Sequence, residues 1–184
     1  MYRNMELVTT LQPQAVTFWD VSAWHMAWNV AHAARTDPEN LSAAVGLKRE
    51  REWQDKAREF LSEGIRNNPN RYDLYFSMGW LYWKKLKQPC DAKEYFHTAA
   101  GFPDAPSYTL RMYARALEHC GDVRGAYEYW KGLWHSGHPQ PFADGINAQM
   151  VIGRELRRLE EELNIPPTQR VIREVIQSAP KNDR

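Results

Sequence analysis

Small side chains recur along this chain at a fixed period, and that recurrence leaves few folds open. Tyr75-x-x-Met78-Gly79-x-x-Tyr82 leads into Ala92-x-x-x-Phe96 and then Pro103. Leu110-x-x-Tyr113-Ala114-x-x-Leu117 leads into Ala126-x-x-x-Trp130 and Pro139. Upstream, Trp19-x-x-Ser22-Ala23-x-x-Met26 precedes Ala57-x-x-x-Leu61 and Pro69. Large residues three or four positions from a small one share its helix face. The small residue lets a second helix approach, and the large ones fill the groove beside the contact. Gly121-Asp122 breaks one such helix pair at its turn, and Pro69 and Pro103 end helices between pairs.

The spacings agree. Ala114 to Ala126 is 12 residues, while Ala57 to Gly79 and Ala92 to Ala114 are each 22, which together make 34. The pattern resembles the tetratricopeptide repeat family over roughly residues 13–139;. The resemblance implies an all-α fold, an α-solenoid of about three helix-turn-helix repeats with a C-terminal capping helix. It places copies at about 14–69, 70–104 and 105–139, after a partial helix at 1–12.

Two copies depart from the pattern. The second has one extra residue, around Lys87-Gln88-Pro89-Cys90-Asp91. In the first, Ala23 to Ala57 is 34 residues instead of 12. Asp37-Pro38-Glu39 reads as an N-cap with proline at the first helical position, predicting long helices at about 15–34 and 39–67;. An ordered loop or extra helix around Leu41–Leu47 is the alternative.

At the N-terminus, Leu11-Gln12-Pro13 is in phase with Asn67-Asn68-Pro69, so the chain starts inside a repeat. Either a half-repeat caps the stack or the chain is the later part of a longer array. Beyond Pro139, Phe142, Ile146, Met150, Gly153, Leu156, Leu159 and Leu163 predict an amphipathic capping helix within 140–165;. Arg154, Arg157, Arg158 and Glu160–Glu162 are assigned to its solvated face. A short helix carrying Val171, Ile172, Val175 and Ile176, then a tail, is expected over 167–184.

Composition excludes several function classes. Net charge is +1 with the signs interspersed, so no basic stripe suits nucleic acid;. No apolar run is long enough to span a membrane, and Met1–Thr10 carries Arg3 and Glu6 with no signal-type core;. A cytoplasmic location is expected unless a segment upstream of this sequence tethers or exports the protein. No nucleophile, phosphate-loop or metalloprotease motif occurs, so no catalytic residue, metal or cofactor is assigned. His135 and His138 lack a third ligand at defined spacing;. Cys90 and Cys120 are expected as reduced thiols. Stacked repeats would bring their turns to one edge, so a disulfide is the alternative if the Cα atoms lie within about 7 Å.

Aromatic residues make up 12% of the chain and need burial or a use;. In the tetratricopeptide family the first helix of each pair lines a ligand-binding groove. The resemblance therefore points to Trp24 and Trp28, with Asp20 and Ala27; to Phe76, Trp80 and Trp83, with Asp73 and Lys84; and to Tyr108, Arg111 and Arg115, with Glu118 and His119. The family's carboxylate clamp uses Lys, Asn and Arg, whereas the corresponding positions here hold Asp20, Trp24, Ser77, Tyr108 and Met112. A clamp of that kind is not expected. The implied function is a scaffold binding another protein's peptide or helix, with Arg111 and Arg115 meeting an acidic group. The rival is a structural or self-associating segment in which the tryptophans are buried.

Overall fold

A computed structural model describes residues 2–136 and 148–172. Among these residues every regular element is helical. Helix α1 is Tyr2–Leu11. Helix α2 runs over 16–36, with a π-helical stretch His25–Val30 at its centre. Helix α3 is Ala43–Asn67. Helix α4 runs over 72–86 and ends in a π-helical stretch Tyr82–Leu86. Helices α5, α6, α7 and α8 are Pro89–Ala100, Ser107–His119, Val123–His135 and Ala148–Glu162. The chain forms two compact units that divide between Gly121 and Asp122.

In the first unit, α2, α3 and α4 enclose a core of Trp19, Ala23, Met26, Ala57, Phe60, Leu61, Leu74 and Met78. Helix α5 packs on both α4 and α6, and Ala92, Phe96 and Ala116 lie fully buried there. The small residues sit where helices touch. A Cβ added to Gly79 would stand 2.8 Å from the Phe96 ring, and one on Gly64 would stand 2.9 Å from Trp19. These are repulsive separations, so glycine sets how near the backbones come.

The extra residue of the second copy is absorbed without a longer loop. A π turn takes up one more residue than an α turn. The stretch Tyr82–Leu86 does so, with the Lys87 N–H bonding to the Tyr82 carbonyl. Lys87 then turns left-handed at φ 58° to release the chain toward Pro89, the first residue of α5.

The long first copy is as expected in outline but not at its turn. Helix α3 begins at Ala43, capped by Ser42, whose Oγ accepts from the Val45 N–H at 3.3 Å. Asp37 caps nothing at the start of a helix. Pro38 holds it extended, which ends α2;. Its carboxylate accepts from the Glu39 N–H, and Asn40 Nδ2 donates to two carbonyls in the last turn of α2, those of Ala34 and Arg35. A buried Asn68 joins the two turns that the sequence placed in phase. Its Nδ2 donates to the Pro13 carbonyl at 2.8 Å, which also accepts from Trp19 Nε1.

Cys90 and Cys120 are bonded, with Cα atoms 4.8 Å apart. The expectation of reduced thiols gives way because α5 packs directly on α6, bringing the start of one helix to the end of the other.

In the second unit α8 packs on α7, burying Trp130, Leu156 and Leu159. Two assignments on α8 are corrected. Glu160 is buried, because it follows Leu156 by four positions and so shares its face;. Its Oε1 accepts from the Val171 N–H at 2.6 Å. Met150 is exposed, and Ile152 takes its place in the buried stripe. Phe142, Ile146, His138, Val175 and Ile176 lie outside the described residues.

Gly79→Ala is expected to lower stability by about 1–3 kcal/mol through overpacking against Phe96. Gly132→Ala, in the open on α7, should raise it by up to about 1 kcal/mol through helix propensity;. Chemical denaturation of both checks the sign change. Replacing Cys90 and Cys120 together with serine should cost about 3–4 kcal/mol, the loop-closure contribution for a sequence separation of 30;.

Candidate functional site

Helices α2, α4 and α6 supply the face that the resemblance singles out. Trp24 and Trp28, one turn apart on α2, stack with ring centres 6.0 Å apart;. They line a cleft of about 30 Å³ with Asp20, Ala23, Leu61, Ser77, Trp80 and Leu81. On α4, Phe76 stacks on Trp80 at 6.1 Å and meets the edge of Tyr108 from α6 at 4.9 Å. The aromatic surface is thus continuous across three helices.

These rings are partly packed and partly open. Trp24 is 46% exposed and Tyr108 38%. Trp28 packs on the first core, while Phe76, Trp80 and Trp83 pack on the cluster around Phe96. Trp83 does not join the Trp24–Trp28 cleft; its ring lies against Phe96 and against His119 at 4.9 Å. Arg111 is half-buried and Arg115 exposed, one turn apart on α6. The Cys90–Cys120 bond follows His119 directly, so it secures the end of α6 that meets Trp83.

Charge is unevenly placed over this face. Lys84 Nζ lies 4.9 Å over the Trp80 ring, and Lys85 Nζ lies 5.1 Å over Trp28. Both lysines belong to the π turn. The inserted residue rotates later side chains by about 100° relative to an uninterrupted α-helix, which is why sequence spacing did not single out Lys85. Toward the start of α4 the groups are acidic and phenolic. Ser77 Oγ donates to Asp20 Oδ1. Asp73 pairs with Arg71 at 2.9 Å. Burial lifts the Asp20 carboxyl above its ordinary range, Ser77's hydrogen bond opposes that, and the Asp73 charge adds to it. Burial, then the charge of Asp73, pushes the Tyr72 hydroxyl up to about 12. Burial also raises Tyr108, which feels both Asp73 and Asp20. Tyr72 is a member of this group that sequence spacing gave no reason to choose.

A larger open groove, about 910 Å³, runs beside α1, α2 and Trp53 of α3. Its lining is mostly apolar, including Tyr2, Met5, Met26 and Val30, and His25 and Asn29 within it bond to each other at 2.8 Å. His135 Nδ1 lies 2.9 Å from the Lys131 carbonyl. Among the described residues no group of three His, Cys, Asp or Glu is placed to hold a metal ion. None of the described helices is long and apolar enough to cross a membrane.

No family model and no curated protein matches the chain. Among solved structures it is similar to a thermophilic TPR protein of Thermus thermophilus. The TM-score is 0.54 at 15% identity, covering 89% of this chain and 71% of that one. The chain therefore has a TPR-like helical-repeat fold, all-helical among the described residues.

Asp20 resists ionisation in the folded state, so its contribution to stability is lost as pH rises from 3.8 through its raised value;. Asp20→Asn keeps an acceptor for Ser77 and removes the charge. It should melt higher than wild type at pH 7, and the difference should vanish below about pH 3. Thermal melts across that range check this.

Proposed function

We propose that this protein is a non-catalytic scaffold that holds a peptide or helix of another protein against the α2–α4–α6 face. The observation that carries the reading is the continuous aromatic surface from Trp24 to Tyr108, half-packed yet still open. Trp and Tyr offer large rigid area at low entropic cost, and binding energy concentrates in such anchors. Trp24, Trp28, Phe76, Trp80 and Tyr108 supply the apolar contacts. Trp83, Arg111 and Arg115 extend the site toward its basic part, where an acidic group on the partner would lie.

A second reading is self-association. Leu7, Leu11, Phe18 and Val21 are exposed on α1 and α2, and they favour burial against another copy or another repeat;. Both readings meet one experiment. Peptides selected on the wild-type protein from a displayed random library should lose at least about tenfold in affinity for Trp24→Ala and Arg115→Glu, while sedimentation stays independent of concentration. Unchanged affinities for both variants would remove the groove reading, and concentration-dependent sedimentation would favour association.

The Cys90–Cys120 bond supports residence in an oxidising compartment over the cytoplasmic location expected from the N-terminal residues;. Thiol trapping in acid-quenched cells should find both cysteines blocked. Two free thiols would return the protein to a reducing compartment.

A further inference from the structure

We propose that the cleft between Asp20, Trp24, Trp28, Ser77 and Trp80 seats a primary ammonium of the bound partner, a lysine side chain with Asp20 as its counter-charge. This rests on the groove reading above and specifies the partner's chemistry.

Charge is the first argument. Among the described residues no lysine, arginine or histidine forms an ion pair with Asp20, whose hydrogen bond comes from the Ser77 hydroxyl. The neighbouring Asp73 has Arg71 as its own partner at 2.9 Å. A half-buried carboxylate without a cation is held at a cost in stability, and such groups cluster where a ligand supplies the missing charge.

Size and wall chemistry narrow the class. The cleft, about 30 Å³, is small and has room for a compact group such as –NH₃⁺;. A guanidinium is a planar fork of larger span. Indole is the ring that best attracts a cation over its face, and Trp24, Trp28 and Trp80 line the cleft. The chain itself illustrates the pairing, since Lys84 and Lys85 already lie over Trp80 and Trp28. Those lysines are at least partly solvated, so their repulsion of an incoming ammonium is screened;. The four-carbon stem of a lysine would run along the aromatic wall while its head reaches Asp20.

The test uses the full chain and a displayed random peptide library. Wild type should select peptides sharing one lysine position. Changing that lysine to arginine or norleucine should weaken binding at least tenfold. Asp20→Asn, checked as folded by its melting curve, should select peptides that keep the apolar pattern and lose the lysine. Lysine-free peptides selected equally by wild type and Asp20→Asn would overturn the assignment while leaving the groove reading intact. Arginine tolerated as well as lysine would overturn the ammonium class. If wild type and Trp80→Ala select nothing different, the groove reading fails and this inference fails with it.

Discussion

The approach of helix α4 to helix α5 at Gly79 underlies the first unit. Gly79 carries no side chain, so the Phe96 ring of α5 lies directly against the α4 backbone. That contact fixes the spacing of one repeat's helices. Ala92 and Ala116 continue the same economy of volume around Phe96. Gly64 does the same for Trp19 between α3 and α2. Because packed interiors tolerate little volume change, each small residue determines how near its neighbour lies and where the large rings must go.

The aromatic face depends on that spacing. With Phe96 seated under α4, Phe76, Trp80 and Trp83 are pushed to the boundary, where one side of each packs and part of the other stays open. The π turns modify this pattern in the two helices that carry most of the tryptophans. In α2 the π turn contains Trp28, and in α4 it contains Trp83, Lys84 and Lys85. Each inserted residue re-aims the side chains after it. The face thus combines a repeat's regular geometry with two local irregularities, both beside its rings.

Much of the fold was legible in the sequence because the small residues and the bulky ones flanking them obey helical spacing. Gly79, Ala92 and Ala57 are buried as that spacing required, and α3 ends where Pro69 forbids continuation. The turn after α2 departs from the expected helix start at about residue 39. Asp37-Pro38 carries a start signal, yet the same proline also ends the helix before it, and only the position of Ser42 decides which applies. Asn68 gave no periodic signal, because its role depends on the Pro13 carbonyl, 55 positions away. Glu160 was assigned by its chemistry, whereas its helical position places it inside. At the candidate site, the resemblance pointed to the rings but gave no sign of Tyr72, which interacts with Tyr108 of the neighbouring helix.

The most direct measurement is a double-mutant cycle between Gly79 and Phe96. If a ring lying on glycine sets the helix separation, Gly79→Ala should be far less damaging once Phe96→Leu has removed the ring's edge. The coupling should amount to about 0.5–3 kcal/mol, with the second change relieving the first. Strictly additive effects would contradict the account, because they would mean that the two residues do not meet.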